Sequence, residues 1–533
     1  MKRRTLLAGA AALAACSRDE APAAPAAWVG AHHDRGHRLR QPGPLPIATV
    51  QRRAGVLVLG AGVAGLAAAH ALARRGIDDV QILELEDQPG GNSRGHAMGG
   101  IACPLGAHYL PLPGPEAHEV SEWLHEIGLL KTALGRTVPD ERHLCHSPQE
   151  RLFVDGAWTE GLLPPVDPKS DAARQMLAFG RRVTDLQKSG AFALPAHRGK
   201  RSSEMAALNA VTFAQWLDAQ GLTDSHLRWY LDYCCRDDYG AAADTVSALA
   251  GVHYFASRHG FHAPGDGEGV EREGLFTWPE GNGWLTQRLA APFVSERLHT
   301  GRTVLRVSEG RHDAQVLAWD EAGRQAEAWT ARAVVVALPL FVAARVVESP
   351  SDALKQAANL LGYAPWLVAN LQLAEPLLDR PGAPPSWDNV IYGSSGLGYV
   401  DAMHQSLNAV PRATVLTAYR ALPRSERAAL LSEDAASWSR RVLDDIAPAH
   451  PDIHRRVRCV DLMRWGHAMA IPAPGVMQHP ALAALRGARG RLRFAHADLA
   501  GYSVFEESFT AGCEAVADLE SPTQQGLLQC RII

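Results

Sequence analysis

A glycine-rich segment, Gly60-Ala61-Gly62-Val63-Ala64-Gly65, constrains what this chain can fold into more than any other feature of its sequence. The segment follows an apolar run at 55–59, and an alanine-rich stretch at 63–75 begins inside it. This order predicts a strand buried on both faces, a tight turn and a helix. Residues 80–85 are again apolar and predict a second buried strand, which completes a βαβ unit.

The glycines of this segment have separate steric roles that together favour a bound dinucleotide. Gly60 permits the tight turn, Gly62 lets a pyrophosphate approach the backbone, and Gly65 lets the helix pack closely on the sheet. The start of the helix offers free N–H groups and a positive dipole end to phosphates. Glu84 lies 19 residues after Gly65, where a carboxylate is expected to bond a ribose hydroxyl. The pattern predicts a dinucleotide site that includes Ala64, but it does not separate NAD from FAD.

The stretch from Glu84 to Arg94 closely resembles the one that follows the second strand in the flavin amine oxidase superfamily. That superfamily includes amine oxidases, protoporphyrinogen oxidases and carotenoid desaturases. In it a double glycine, here Gly90 and Gly91, lets the loop lie against the FAD pyrophosphate, and a basic residue follows. Asn92 occupies the usual arginine position in this chain, and Arg94 is the candidate substitute two residues later. The resemblance implies FAD rather than NAD.

Four later segments also resemble parts of the superfamily that contact FAD. The first reaches the flavin ring, the second presents a strand backbone to adenine, the third brings an acid to the ribityl or phosphate region, and the last runs beneath the flavin. In that order, the matching residues are Gly106 and Ala107, then Val304, then Asp498, and finally Val504 and Phe505. The resemblance implies that all six belong to the cofactor site.

On the substrate side the resemblance fails. Many amine oxidases keep a lysine that holds a water at flavin N5, in the strand after a turn like Leu361-Gly362-Tyr363-Ala364-Pro365; this chain has Val368 there. Classical members also enclose the substrate between two aromatic rings, and Val504 replaces one of them, with Tyr502 close by. The cysteine that carries covalent flavin in some members has no counterpart at 464–472, so FAD is predicted to be noncovalently bound.

Four side chains are candidates for contact with the substrate or the flavin ring, namely His108, Trp465, His467 and Tyr502. His108 would touch the flavin, or it would be a structural histidine with satisfied hydrogen bonds. Trp465 and His467 would line the active site or simply pack. The polar sequence Arg236-Asp237-Asp238-Tyr239 lies between apolar stretches and predicts either an entrance or a buried salt-bridge network.

At 533 residues the chain is longer than a single hydrophobic core usually supports, which predicts two joined domains. We expect an α/β fold in which a Rossmann-like FAD-binding domain (51–115, 271–345 and 475–525) is interleaved with an α+β substrate domain (116–270 and 346–474). No basic stripe interleaved with aromatic residues is present, so no nucleic-acid partner is expected.

The cysteines predict neither a disulfide framework nor a metal site. Of the eight, seven follow Cys16, with irregular spacing and no CxxC motif. The vicinal pair Cys234-Cys235 is either a strained redox pair or part of the core.

The first sixteen residues predict a signal peptide rather than part of the fold. Arg3 and Arg4 precede an apolar run too short to span a bilayer, which is typical of a twin-arginine signal. The sequence up to Cys16 resembles a bacterial lipobox, which would attach a lipid to that cysteine; the alternative is a signal peptide with a chance cysteine. Residues 17–50 are rich in alanine, proline and charge and predict a tether. We therefore expect a periplasmic or cell-envelope protein, anchored to the membrane through Cys16.

The expected function is that of an FAD-dependent oxidoreductase that dehydrogenates a small molecule by hydride transfer to flavin N5. An amine is the expected substrate because the superfamily favours amines, and oxygen or an unknown envelope acceptor would reoxidise the flavin. One alternative is a desaturase or isomerase of an apolar, isoprenoid-like substrate. Another is a flavin-binding protein without turnover, since both amine-side features are missing.

Overall fold

The computed structural model describes residues 24–41, 43–263, 274–405 and 414–520. The predicted signal peptide, with its two arginines and Cys16, lies outside these ranges. Within them, no helix is both long enough and apolar enough to cross a membrane.

The described strands, numbered in chain order, belong mostly to two large sheets. They are β1 (Ala26–Trp28), β2 (Val50–Leu59), β3 (Val80–Leu83), β4 (Gly95–Met98), β5 (Ile101–Pro104), β6 (Tyr109–Pro111), β7 (Leu130–Ala133), β8 (Arg136–Pro139), β9 (Glu150–Val154), β10 (Ala157–Glu160), β11 (Leu275–Thr277), β12 (Leu298–His299), β13 (Arg302–Glu309), β14 (Ala314–Asp320), β15 (Gln325–Val336), β16 (Gly362–Leu373), β17 (Asp388–Ile391), β18 (Tyr399–Asp401), β19 (Val415–Ala421), β20 (Val457–Ile471) and β21 (Leu492–Phe494).

The described α-helices pack on these sheets and between them. They are α1 (His33–His37), α2 (Val63–Arg74), α3 (His118–Glu126), α4 (Asp171–Lys188), α5 (Ser203–Ala210), α6 (Phe213–Ala219), α7 (Ser225–Tyr239), α8 (Ala248–Tyr254), α9 (Gly283–Ala290), α10 (Leu340–Val346), α11 (Asp352–Leu360), α12 (Arg427–Ser432), α13 (Ala435–Ile446), α14 (Ile453–Arg456), α15 (Pro480–Arg486) and α16 (Phe505–Ala515).

The first large sheet contains the predicted βαβ unit. Its order is β12-β3-β2-β15-β14-β13, with β21 beside β15. Strands β2 and β3 run parallel to each other, and so do β2 and β15; the second half of β2 is buried on both faces, as its apolar run predicts. Helix α2 connects β2 to β3 and shares one core with α3, α9 and α16. The Rossmann-like part of the predicted fold is confirmed.

The second large sheet has the order β1-β20-β16-β19-β18-β17-β9-β10. One of its faces shares a large core with helices α4 to α8. The strands of each large sheet come from the segments predicted for one domain, apart from β1, which precedes both. The chain therefore passes between the two domains repeatedly, and the predicted interleaved α/β fold is confirmed.

Residues 24–41, which we call the N-terminal strap, contradict the predicted tether. Strand β1 pairs in parallel with the edge of β20, and α1 lies against the first sheet's domain. The prediction was wrong here because an Ala- and Pro-rich composition indicates weak local structure. The strap is held by partners that lie far away in the sequence.

Two glycines allow α2 to pack on its neighbours without intervening side chains. A Cβ placed on Gly65 would collide with the carbonyl oxygen of Gly60, and one placed on Gly512 would collide with that of Ala64. Helix α2 therefore lies directly between the turn that follows β2 and helix α16. These two contacts hold the first turn of α2 beside the sheet.

Candidate cofactor and substrate site

The glycine loop at 60–65 turns the chain from the carboxyl end of β2, an interior strand of the first large sheet, into α2. Gly60 has a φ of +99°, a left-handed conformation that favours glycine. Gly62 precedes the helix, and no side chain caps the helix there. The first N–H groups of α2 lack helical partners, so they can bind an anion such as a pyrophosphate.

The loop that contains Gly90 and Gly91 meets the first glycine loop backbone to backbone. The N–H of Gly90 donates to the carbonyl oxygen of Ala61 at 2.8 Å. A Cβ placed on Gly91 would lie 3.2 Å from the Cα of Gly62, and Gly91 itself has a φ of +56°. Because glycine alone suits this contact, both loops can approach the same phosphates.

Glu84 is buried directly after β3, beside the glycine loop. Its carboxylate accepts the N–H of Ala61 at 2.7 Å and that of Glu86 at 2.9 Å, one on each oxygen. Burial raises the pKa of Glu84, and these hydrogen bonds offset part of the shift. Each carboxylate oxygen has a second lone pair, which a ribose hydroxyl can use.

The basic group beside the double glycine is Arg94. It is buried, and its guanidinium donates to the carbonyl oxygens of Gly91 at 3.2 Å and Gly30 at 2.6 Å. Asn92 instead donates from Nδ2 to the carbonyl oxygen of Ala468 at 2.6 Å, which ties its loop to β20. Arg94 therefore lies at the place of the predicted substitution, whereas Asn92 has a bridging role.

Asp498 provides an observation against which FAD can be tested. It is buried, and its Oδ2 accepts the N–H of Leu340 at 2.8 Å and the hydroxyl of Tyr363 at 2.6 Å. Its Oδ1 is also buried but accepts no hydrogen bond from the described residues. Nδ1 of His496, 3.2 Å away, already accepts the N–H of Asp498. A hydroxyl donor would satisfy this oxygen, and the resemblance places the ribityl region here. With the two glycine loops, these residues fit FAD.

Val304 lies where β13 leaves its regular pairing. It pairs with Ala318 of β14, and the register then shifts so that the ladder skips Leu305. A bulge of this kind leaves backbone groups available to another partner. The predicted contact between this backbone and adenine remains a prediction.

The segment predicted to run beneath the flavin begins helix α16. Val504 is the residue before the helix, and no side chain caps the helix there. The ring of Phe505 instead packs in the core, with its centroid 6.2 Å from that of Trp123 and 5.9 Å from that of Phe509. Phe505 can therefore contact a cofactor through its backbone alone.

Four aromatic side chains lie beside Gly106 and Ala107, the segment predicted to reach the flavin ring. We call them the aromatic wall: His108, Tyr109, Trp387 and Tyr419. His108 stacks on Tyr419 with ring centroids 4.4 Å apart, and its ring lies 5.4 Å from that of Trp387. The Tyr419 hydroxyl donates to the carbonyl oxygen of Gly106 at 3.1 Å. Burial lowers the pKa of His108 to about 3, so its imidazole is neutral at neutral pH.

Val368, at the position of the missing lysine, lies beside this wall. It is buried on β16, and its Cα partner across β19 is Tyr419, so the two side chains share a face of the sheet. An apolar side chain here cannot position a water as a lysine does.

Trp465 and His467 are brought close to the predicted cofactor segments. The indole of Trp465 donates to the carbonyl oxygen of Leu105 at 2.8 Å, and its ring lies 5.3 Å from the guanidinium of Arg94. The ring of His467 lies 4.7 Å from that of Phe341. Burial lowers the pKa of His467 to about 4, so it is neutral at neutral pH. Trp465 packs beside the double-glycine loop, whereas His467 packs against α10.

Tyr502 is not a candidate for substrate contact, contrary to the prediction. It is one of the fully buried side chains, and its hydroxyl donates to Glu507 at 2.7 Å. Its ring lies edge-on to those of Tyr239 and His253. Tyr502 and Val504 are close in sequence, but the Tyr502 side chain lies in the core and not beside the substrate.

Three carboxylates from three elements act on one another near the aromatic wall, and we call them the acidic group: Glu150, Asp237 and Asp388. Glu150 and Asp388 are Cα partners in a parallel pair of β9 and β17, so their side chains share one face. Burial, and then the charges of Asp237 and Glu150, raise the pKa of Asp388 well above its ordinary value. Burial raises the pKa of Tyr419 too, and the charges of Asp237 and Asp388 add to the shift. Sequence reasoning missed this group because its members lie far apart in the chain.

The polar sequence at 236–239 takes part in ion pairs, the second of its two predicted roles. Arg236 donates to Asp232 at 2.9 Å one turn earlier in α7, and Asp238 lies 4.0 Å from Arg258. Asp237 belongs to the acidic group. The sequence therefore combines ion pairs with one carboxylate of the acidic group.

Replacing Asp237 with asparagine should change how stability depends on pH. Burial, with the charge of Asp238, raises the pKa of Asp237 to about 7. Because this exceeds the unfolded value of about 3.9, the free energy of unfolding of the wild type falls as pH rises from about 4 to 7. Asp237→Asn should remove this loss and stabilise the protein at pH 8 relative to wild type by about 1–4 kcal/mol. Denaturant unfolding of both proteins at several pH values measures this difference in the free energy of unfolding.

The control for this measurement is Asp352→Asn, in the exposed first turn of α11. Asp352 pairs with Lys355 in solvent and should leave the pH profile nearly unchanged. Equal pH slopes for wild type and Asp237→Asn would contradict the assignment.

The vicinal cysteines belong to the core rather than to a redox pair. Cys234 and Cys235 are free and buried on α7. Burial raises the pKa of both thiols well above the ordinary value, which disfavours the reactive thiolate.

Comparison with protein families assigns most of the chain. Residues 63–519 match the model of the family described as flavin containing amine oxidoreductase. AofH of Mycobacterium tuberculosis (strain H37Rv), provisionally named as a flavin-containing monoamine oxidase, is 28% identical over 288 residues. The match covers 53% of this chain and 56% of AofH, so the chain spans about half the length of the curated relatives it matches.

Solved structures share the fold over a longer stretch. Wild-type putrescine oxidase bound to putrescine is 18% identical, with a TM-score of 0.64, over 88% of this chain and 99% of that one. Cyclohexylamine oxidase from Brevibacterium oxydans IH-35A is 18% identical, with a TM-score of 0.63, over 87% and 98%. A fatty acid isomerase from P. acnes is 16% identical, with a TM-score of 0.60, over 87% and 98%. At these identities the likeness concerns the fold.

Proposed function

Since the chain belongs to the family of flavin-containing amine oxidoreductases, we propose that it is an FAD-dependent oxidoreductase that oxidises an amine by hydride transfer to the flavin. The observation that carries the choice of an amine is the acidic group, two of whose members, Asp237 and Asp388, act on Tyr419 of the aromatic wall beside Gly106. Carboxylates and aromatic faces attract an ammonium group, and carboxylates disfavour an apolar chain. We call the space between the acidic group and the aromatic wall the candidate substrate chamber, and the substrate enters it as a cation.

The residues around the chamber can prepare such a substrate. Bound FAD supplies the hydride acceptor. An ammonium ion must lose a proton before its α carbon gives up hydride, because the nitrogen lone pair stabilises the cation that forms. Asp237, whose pKa burial raises to about 7, can accept that proton at neutral pH. The neutral imidazole of His108 adds no positive charge beside that of Arg258, whose guanidinium lies 6.0 Å from the centre of the Tyr109 ring.

The experiment incubates purified protein in air with monoamines, diamines, polyamines and amino acids, and separately with unsaturated fatty acids and isoprenoids. Formation of aldehyde, ammonia and hydrogen peroxide from an amine supports the proposal. Conversion of the apolar compounds alone would favour a desaturase or isomerase, the class of one structural neighbour. Bound FAD that no donor reduces would indicate a flavin-binding protein without turnover.

We further propose that FAD is held noncovalently and that oxygen or an envelope acceptor reoxidises it. The absence of a cysteine from 464–472 supports noncovalent binding. Acid precipitation should then release FAD into the supernatant, and flavin retained in the pellet would contradict this.

We also propose export to the cell envelope through the twin-arginine signal and lipid attachment at Cys16. Arg3, Arg4 and the lipobox-like sequence support the proposal. Fractionation of cells that express the wild type, an Arg3→Lys and Arg4→Lys double variant, and Cys16→Ala tests it. The first variant should remain in the cytoplasm, and the second should be exported but released from membranes.

A further inference from the structure

The N-terminal strap joins the two domains at the candidate cofactor site. Its first half extends the substrate-domain sheet: Trp28 of β1 is the Cα partner of Leu462 in β20. The N–H of Val29 continues this pairing, donating to the carbonyl oxygen of Leu462 at 2.9 Å. The guanidinium of Arg464 lies 4.6 Å from the centre of the Trp28 ring. This half is fixed to one domain.

The strap then turns at Gly30, directly beside the double-glycine loop. Gly30 has a φ of +82°, and a Cβ there would lie 2.9 Å from Leu105. Its carbonyl oxygen accepts Nη1 of Arg94 at 2.6 Å. Arg94 also donates to Gly91, so one guanidinium connects the strap to the loop that the resemblance places against the pyrophosphate.

The second half of the strap presents basic groups to carboxylates of the cofactor domain. The N–H of His32 donates to the carboxylate of Glu86 at 3.2 Å. Arg35 donates from Nη1 to the carbonyl oxygen of Leu85 and to Asp87, both at 2.8 Å. Arg38 pairs with Glu321 at 3.0 Å. In each ion pair the cation lies on the strap and the carboxylate on the cofactor domain.

Four of these partners, Leu85, Glu86, Asp87 and Arg94, belong to residues 84–94, which run from the predicted ribose contact, Glu84, to just past the double glycine. The resemblance places this segment along one side of the candidate FAD site. We propose that the strap is part of the cofactor site: it holds residues 84–94 closed over FAD and thereby sets the rate at which FAD is released. The proposal rests on FAD binding and not on amine oxidation.

The first test measures FAD release from the full-length holoprotein by the fluorescence that free FAD regains. A double variant, Arg35→Ala and Arg38→Ala, should release FAD about tenfold faster than the wild type. High salt should accelerate release from the wild type, because part of the contact is ionic. The matched control is Arg174→Ala, which removes an exposed Arg–Asp pair of α4 and should release FAD at the wild-type rate.

A charge exchange separates a specific role from general destabilisation. Arg35→Asp alone should accelerate release, and adding Asp87→Arg should restore most of the wild-type rate. A double Arg35→Ala and Arg38→Ala variant that releases FAD within twofold of the wild-type rate would overturn the proposal.

The second test uses limited trypsin digestion of holoprotein and apoprotein. Cleavage after Arg35 and Arg38 should be slow with FAD bound and at least several-fold faster without it. Arg136, in the exposed hairpin of β7 and β8, should be cut equally in both forms. The trypsin concentration and time are chosen so that the chain is not cut after the buried Arg493, which shows that global unfolding does not contribute. Equal cleavage of the strap in both forms would also overturn the proposal.

Discussion

Replacing Gly65 with alanine is expected to abolish FAD binding. Alanine is the better helix former by about 1 kcal/mol, so helix propensity alone favours the variant. The added Cβ, however, collides with the carbonyl oxygen of Gly60 and must push the start of α2 away from the sheet. That movement displaces the N–H groups that bind phosphate and costs a further ~1–3 kcal/mol of stability. The ratio of flavin to protein absorbance after purification should fall close to zero.

Gly114→Ala is the matched control for this substitution. No heavy atom lies within 4 Å of a Cβ at Gly114, so this variant should keep its full FAD content. Stoichiometric FAD in Gly65→Ala would show that the glycine loop does not bind the cofactor.

The second large effect is expected from Asp388→Asn. Burial and the neighbouring carboxylates raise the pKa of Asp388, so the free protein holds protons in the acidic group. A cationic amine lowers these pKa values when it binds, and a proton is released. An asparagine keeps the shape but cannot supply the charge. The apparent second-order rate of flavin reduction by amines should fall about 30-fold, equivalent to ~2 kcal/mol.

Stopped-flow absorbance under anaerobic conditions measures this rate, and calorimetry in two buffers counts the protons released. The control is Asp352→Asn, an exposed substitution on α11, and amines should reduce its flavin at the wild-type rate. If amines reduced the flavin of Asp388→Asn at the wild-type rate, and binding released as many protons, the acidic group would not take part in substrate recognition.

The sequence predicts the cofactor loops well because their chemistry is local. The positive φ of Gly60 and the contact of Gly65 with the carbonyl oxygen of Gly60 both arise within a few residues, so the pattern alone indicates the turn and the helix. The same holds for Gly90 and Gly91, whose positive φ angles suit glycine in particular.

The substrate chamber and the strap could not be predicted in this way. Asp388 acquires its environment from β9 and α7, more than one hundred residues away in the chain. The strap reads as a tether by composition, since its strand gains stability only from the edge of β20. The closeness of Tyr502 to Val504 in the sequence predicts a position near the substrate, yet its side chain is buried and donates to Glu507.

The most direct test of the whole account is an anaerobic titration of the purified holoprotein with amines, followed through the visible absorbance of the flavin. We expect bound FAD whose absorbance bleaches on addition of at least one amine and returns on admission of oxygen or another acceptor. A purified, folded protein that cannot be loaded with FAD, or whose FAD no amine reduces, would contradict the account.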